Sequence, residues 1–193
     1  MLNSEVNVNN KPYVIIHGTY RVEPDYNCRF NDGKTHIVYA GTFDPRKGGA
    51  VAAVDAAEFH IHVIGFGSDI EIKYLKEEIV RVSNKTKCVV SYDGLKHGDE
   101  YIRFIQSCDI GLSTQNPDAA FNATSFPSKI LSYLSNGLRV VSIRIPAIEG
   151  SDVGDKLFYY DEQTPKQIAD AILSVDMAQA YDSRSDIVDL SNK

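Results

Sequence analysis

The sequence predicts an α/β fold in which a doubly wound, mostly parallel sheet of six strands carries helices on both faces. Short apolar runs rich in β-branched residues alternate with amphipathic stretches along most of the 193 residues. Apolar runs without polar alternation are typical of strands that helices cover on both sides. Repeated strand and helix units of this kind indicate a doubly wound sheet rather than a sandwich or a helical bundle.

Six apolar runs predict the strands, and the clearest of them ends at Gly41. The predicted strands cover residues 36–41, 62–65, 87–91, 109–113, 139–145 and 157–160. Helical spacing of apolar residues predicts helices over 49–59, 70–82, 99–106, within 124–137, and over 165–175. Thr164 is the expected cap of the last of these, with Pro165 at its first position. Residues 180–193 either continue as a helix or trail off.

The length favours one domain with additional segments at its ends. We expect residues 1–35 to form a leader and a connecting segment, 36–178 to form the domain, and 179–193 to form a polar tail or helix. The net charge of −6 argues against a nucleic-acid partner and favours a small ligand that is recognised locally.

The cysteines and the hydropathy indicate a cytoplasmic protein. Cys28, Cys88 and Cys108 form no C-x-x-C pair, which favours reduced thiols over disulfides or a zinc site. No apolar run approaches the roughly 18 residues of a membrane span, so we expect no transmembrane segment.

The stretch from Thr124 to Gly137 combines a hydroxyl-rich loop with a predicted helix start. Lys129 lies near the first turn, a glycine ends the helix, and a β-branched strand follows. Unpaired N–H groups and partial positive charge at a helix start favour an anion, so this stretch predicts a phosphate site. Serine and threonine before a helix also serve as caps, and lysines are commonly solvated, which is the alternative without a ligand.

A second loop, from Gly41 to Gly49, has glycines at both ends and places Arg46 and Lys47 just before a predicted helix. Glycine lets the backbone approach a ligand closely, and a helix start favours an anion. The alternative is a polar turn with two surface cations. Both loops follow the carboxyl ends of predicted strands, where open parallel sheets bind their ligands.

Other chemistry has little support in the sequence. The five histidines show no tight ligand spacing, although His60 and His62 could face the same way, and we expect no metal site. No serine lies in a G-x-S-x-G motif, which argues against a hydrolase triad. No cofactor is expected. The turn formed by Tyr92, Asp93 and Gly94 follows a strand and is the predicted contact for a nucleobase.

Together the two loops resemble the carboxy-terminal, donor-binding domain of glycosyltransferases with two Rossmann-like domains, the GT-B fold, and within them the retaining group 1 family. The resemblance covers roughly residues 36–175. In the loop from Gly41 to Gly49, three residues match the motif that ends the family's first strand: Gly41, Lys47 and Gly48. In the stretch that begins at Thr124, a second family motif is matched by Pro127, Lys129, Tyr133, Leu134, Gly137, Val140 and Val141.

The resemblance implies a Rossmann-like domain that binds a nucleoside diphosphate sugar for sugar transfer, in polysaccharide or glycan biosynthesis, without a metal. The implied diphosphate contacts are Gly41, Thr42, Lys47, Ser125, Ser128 and Lys129. The family places glutamates near the sugar and on the ribose, and Thr124 and Ser132 occupy those positions here. A hydroxyl at Ser132 can still bond to ribose, without the charge-assisted bond of a carboxylate.

Enzymes of this type carry the acceptor on an amino-terminal domain, for which the residues before 36 are too few. We therefore expect a fragment that lacks the acceptor domain or that works with a partner glycosyltransferase subunit, inactive or weakly active alone. The acceptor domain would then hold the protein at the inner face of the membrane. The alternatives are a non-catalytic interaction or nucleotide-binding domain on the same fold, and an unrelated doubly wound sheet such as an epimerase or a receiver-like module.

Overall fold

The computed structural model describes residues 21–43, 59–115 and 126–192. In these ranges the chain forms one six-stranded sheet with the order β3-β2-β1-β4-β5-β6, and every neighbouring pair of strands is parallel. The predicted doubly wound α/β sheet is therefore confirmed. The strands are β1 (Thr35–Thr42), β2 (Phe59–Phe66), β3 (Val89–Tyr92), β4 (Ile110–Ser113), β5 (Arg139–Ile143) and β6 (Phe158–Tyr160).

Six helices connect and cover the strands within the described ranges. They are α1 (Asp69–Ser83), α2 (Gly98–Ser107), α3 (Ser128–Ser135), α4 (Pro146–Glu149), α5 (Pro165–Leu173) and α6 (Ser183–Ser191), with a 3₁₀ turn at Gly154–Lys156. The Thr164 hydroxyl accepts a hydrogen bond from the Gln167 N–H, which confirms the predicted cap of α5. The polar carboxy-terminal stretch forms α6, whose Ile187 is buried in the core.

The second strand differs from its prediction. A helix over 49–59 and a strand over 62–65 were expected, but β2 already begins at Phe59 and pairs with β1 along its whole length, from Thr35–Phe59 to Thr42–Phe66. His60 and His62 interrupt the apolar pattern at the start of β2, because they face a polar cluster on one side of the sheet. The apolar pattern alone therefore does not predict a strand there. The rest of the predicted helix, 49–58, lies outside the described residues.

The strand order places a topological switch point between β1 and β4. The register of these two strands ends at Val38–Gly111. Beyond it, the Ala40 N–H donates a 2.8 Å hydrogen bond to the Tyr133 hydroxyl of α3. The Tyr133 ring also fills the space that a side chain at Gly111 would need, since a Cβ there would lie 2.3 Å from the ring. Helix α3 is thus packed into the split between the two central strands.

Two segments that are distant in sequence support the far end of α3. Residues 21–34 run without helix or strand, and the Glu23 N–H donates to the Ser135 carbonyl at 3.4 Å. The hydroxyl of Ser183, which directly precedes Arg184, donates to the Leu134 carbonyl at 2.8 Å. An ion pair of 2.9 Å between Asp25 and Arg184 joins the two segments. None of the helices within the described residues has the length and apolar character that crossing a bilayer requires.

Candidate functional site

A cavity of about 480 Å³ opens at the carboxyl ends of β1 and β2, beside the switch point. This is the edge of an open parallel sheet at which ligands bind, and the volume suits a small molecule. The residues that line the cavity are Ala40, Gly41, Ile64, Gly65, Phe66, Leu95, Lys96, Tyr101, Ser128, Lys129 and Ser132. Four of the predicted site residues are therefore brought together: Gly41, Ser128, Lys129 and Ser132.

Two glycines form the floor of the cavity. Gly41 and Gly65 are register partners at the ends of β1 and β2. Gly65 has a φ of +137°, and a Cβ on it would lie 1.8 Å from the Gly41 carbonyl oxygen. A Cβ on Gly41 would instead lie 3.2 Å from the Lys129 Nζ. The absence of side chains therefore lets the two strand ends meet and lets a lysine lie directly over the backbone.

Lys129 is the second residue of α3 and brings a positive charge to this site. Its Nζ lies 4.2 Å from the centroid of the Tyr39 ring, in cation–π contact. The Tyr39 hydroxyl donates to the Thr42 carbonyl, and burial raises the pKa of Tyr39 to about 12. The N-cap of α3 is Pro127, which makes no side-chain cap hydrogen bond. A lysine and a helix start whose N-cap residue makes no side-chain hydrogen bond together favour an anion.

The wall opposite the glycines consists of Tyr101 and Ser132, whose hydroxyl oxygens lie 3.2 Å apart. Ser132 is the position at which the resembling family has a glutamate. In this chain the Ser132 hydroxyl is hydrogen-bonded to a tyrosine, and Ser132 lines the cavity. This arrangement can bind a hydroxyl group, but it brings no negative charge.

A second lysine, Lys96, lines the cavity and was not singled out from the sequence. Its Nζ lies 2.9 Å from a Glu100 carboxylate oxygen and 4.7 Å from the Phe104 ring centroid. The only sequence signal was its place in a loop after a strand end. The described lining contains two lysines and no carboxylate, so this part of the cavity is suited to a negatively charged group.

The predicted base contacts lie next to the cavity rather than on its described lining. The Gly94 carbonyl accepts a hydrogen bond from the Gly65 N–H at 3.1 Å. Tyr92 packs edge-on against Phe43, with ring centroids 5.4 Å apart. Asp93 bonds to His62 at 2.9 Å, on the side away from the glycines. The residues that follow this turn, Leu95 and Lys96, reach the cavity instead.

Thr42 ends β1 beside Gly41, half-buried and outside the lining. The remaining predicted residues, Lys47, Thr124 and Ser125, lie outside the described residues.

Three histidines gather elsewhere on the sheet. His36 of β1 is the register partner of His60, and His62 follows two residues later on the same face of β2. One ring nitrogen from each lies within 4.8 Å of the others. Burial lowers the pKa of His60 to about 4, and the neighbouring His62 and His36 contribute to the shift. Sequence spacing missed this group because His36 comes from a different strand.

Comparison with known proteins relates the fold to glycosyltransferases. No protein-family model matches the sequence, and no curated protein matches it. Among solved structures, a glycosyltransferase from Rickettsia africae superposes with a TM-score of 0.62 at 16% identity, covering 84% of this chain and 44% of that one. Anabaena HepE, solved with UDP and glucose, gives 0.58 at 15% identity, with 82% and 46% covered.

The carboxy-terminal domain of a group 1 family glycosyl transferase, LpcC from Francisella tularensis, is matched over most of both chains. The TM-score is 0.57 at 18% identity, and 83% of this chain and 85% of that domain are covered. The chain spans less than half the length of the Rickettsia and Anabaena proteins. The chain therefore has the fold of one Rossmann-like half of a GT-B glycosyltransferase.

Proposed function

We propose that this chain binds a nucleoside diphosphate sugar and is the donor-binding half of a glycosyltransferase. The observation that carries the proposal is Lys129, which lies in the first turn of α3 and directly over the Gly41 backbone, in a cavity at the switch point of the sheet. A diphosphate is the group that such a combination of backbone, helix start and lysine recognises best.

In this proposal the diphosphate lies between the end of β1 and the start of α3. Gly41 and Thr42 offer backbone, while Ser128 and Lys129 contact the phosphates, with Lys47 and Ser125 as further predicted contacts. The Ser132 hydroxyl, held by Tyr101, is directed toward the ribose. Lys96 adds a second positive charge at the cavity.

The base is proposed to rest on the apolar part of the lining. Phe66 is 58% exposed and Leu95 is 49% exposed, although both are large apolar side chains. A planar base laid against them would remove that surface from water. The sequence predicts the turn of Tyr92, Asp93 and Gly94 as the base contact. The contact proposed from the structure is Leu95, the residue directly after that turn. A nucleotide ligand is also supported by UDP and glucose in the Anabaena structure of the same fold.

The chemistry proposed for this half is stabilisation of the departing diphosphate. Lys129 and the start of α3 would balance the charge that develops as the sugar leaves, which needs no metal. Thr124 and Ser132 offer no carboxylate, and the acceptor would lie on another domain or on a partner subunit. We expect the chain alone to bind a donor better than it transfers one. Polysaccharide or glycan synthesis at the inner face of the membrane is proposed from the resemblance alone.

A second candidate is a non-catalytic nucleotide-binding or interaction domain on the same fold. The observation in its favour is the bond between Ser132 and Tyr101, where the family pattern has a glutamate. Pairing the chain with an acceptor domain separates the two candidates. If the chain and the acceptor domain together transfer sugar, and Lys129→Ala abolishes that transfer, the chain is half of a transferase. If the nucleotide binds but no sugar is transferred, the second candidate is supported.

Calorimetric titration with UDP, GDP and their sugars tests donor binding. We expect one site, and we expect Lys129→Ala to weaken it by about 10- to 100-fold, the value of one charge-assisted hydrogen bond. Lys73→Ala is the matched control, because the Lys73 side chain is 79% exposed on α1 and outside the lining. Absence of binding by any nucleotide at millimolar concentration, or equal losses in both variants, would contradict the proposal.

A further inference from the structure

The histidine cluster of His36, His60 and His62 lies away from the proposed donor site. His36 precedes Gly41 by five residues, which corresponds to about 16 Å along an extended strand. His36 and His62 are almost fully buried, with 2% and 4% of their surfaces exposed, while His60 is half-buried. We propose that this cluster is a binding site for one divalent transition-metal ion.

The outer nitrogen of each ring is already held by an acceptor. His36 Nε2 lies 2.9 Å from an Asp32 carboxylate oxygen, and His62 Nδ1 lies 2.9 Å from an Asp93 carboxylate oxygen. His60 Nε2 lies 3.2 Å from the Ser91 hydroxyl. Metal-binding histidines typically donate their second N–H to such a partner, which fixes the ring and directs the other nitrogen at the metal.

The inner nitrogens of His36 and His62 face each other. His36 Nδ1 and His62 Nε2 lie 2.9 Å apart, and the two ring planes are 17° from parallel. With both outer nitrogens donating to carboxylates, two neutral rings would direct two lone pairs at each other. A metal ion fits between these nitrogens once they separate to about 3.3 Å, as bonds of about 2.0–2.1 Å to a tetrahedral ion require.

The surroundings of the cluster favour a dication and limit its exchange. Asp32 and Asp93 bring two negative charges against the rings. The Phe30 ring stacks on His36 at 4.3 Å and on His62 at 5.0 Å, and Phe104 meets His62 edge-on at 5.2 Å. The half-buried His60 ring stacks on that of His62, with centroids 4.1 Å apart and planes 18° from parallel. It must therefore rotate to direct a nitrogen at the metal, which its partial exposure allows. Imidazole ligands select zinc, cobalt, nickel or copper over magnesium and calcium.

Titration of metal-depleted, untagged protein with Zn²⁺ and Co²⁺ tests this site. We expect one equivalent to bind, with release of a proton that calorimetry in two buffers detects. His60→Ala should abolish binding, and Asp93→Asn should weaken it by about 10- to 100-fold. His97→Ala is the matched control, since His97 is exposed at the start of α2 and should bind metal as the unchanged protein does.

Far-UV circular dichroism checks that each variant is folded, and because His60 is half-buried its replacement should be tolerated. The proposal is overturned if the folded protein takes up no metal at millimolar concentration. Binding that survives His60→Ala, or that disappears in His97→Ala, overturns it equally. Nucleotide binding should be unchanged in His60→Ala, so the two proposed sites can fail independently.

Discussion

Replacing Tyr133 with phenylalanine tests how the switch point is held together. Tyr133 is fully buried, and its hydroxyl accepts a hydrogen bond of 2.8 Å from the Ala40 N–H. Ala40 lies two residues beyond the last register pair of β1 with β4. The Tyr133 side chain therefore accepts the hydrogen bond that a neighbouring strand would accept within the ladder. Tyr133→Phe removes this acceptor while it keeps the ring that packs against Gly111.

The expected loss of stability follows from the unpaired N–H that remains. A buried donor without a partner costs about 1–3 kcal/mol, and the retained ring should add no cavity term. Tyr101→Phe is the matched control, because it also removes one hydroxyl bonded at 3.2 Å, but from a half-buried position at the cavity. Its cost should be about 0.5–1 kcal/mol, the net value of an ordinary hydrogen bond.

Urea unfolding of both variants measures the difference. We expect a lower midpoint for Tyr133→Phe with an unchanged slope, as for a loss of native stability alone. Amide hydrogen exchange should show loss of protection centred on Ala40. If Tyr133→Phe is as stable as the unchanged protein, or loses no more than Tyr101→Phe, the hydroxyl does not stabilise the split between β1 and β4.

Three further predictions concern the glycines and the buried thiols. Gly65→Ala should destabilise the protein strongly, because its Cβ would meet the Gly41 carbonyl at 1.8 Å. Gly41→Ala should fold and instead weaken nucleotide binding, because its Cβ would displace Lys129. Urea unfolding and calorimetric titration of both variants measure the two effects, and equal effects in both variants would contradict this prediction. Cys88 and Cys108 should resist alkylation at neutral pH until the protein unfolds, as mass spectrometry can show, because burial raises the pKa of each thiol, that of Cys88 to about 11. The Cys88 thiol keeps its proton to about pH 11 in the folded protein but ionises near pH 9 in the unfolded chain. The free energy of unfolding should therefore fall as the pH rises above 9. Urea titrations at several pH values should show a smaller fall for Cys88→Ala.

The strands could largely be predicted because helices cover both faces of this sheet, which makes most of them continuous apolar runs. The beginning of β2 could not, because His60 and His62 are satisfied by partners such as Asp93 that are distant in sequence. Nothing in the local pattern around Phe59 distinguishes a strand with a polar cluster on one face from the end of a helix.

The candidate site could be predicted where backbone chemistry defines it. Gly41 and Lys129 stood out because glycine after a strand and lysine at a helix start have direct physical meanings. Lys96 did not, since a lysine in a polar loop shows no periodicity and its position depends on contacts with Glu100 and Phe104. The histidine cluster depends on strand register, which local patterns leave undetermined.

The support of α3 by both flanking segments has a consequence for how the protein can be shortened. The last carbonyls of a helix have no partner within it, and here Glu23 and Ser183 donate to those of Ser135 and Leu134. A chain trimmed to residues 35–178 would keep its strands but would expose that end of α3. The helix that presents Lys129 would then be free to fray from its far end, and ligand affinity would decline before the sheet itself unfolds.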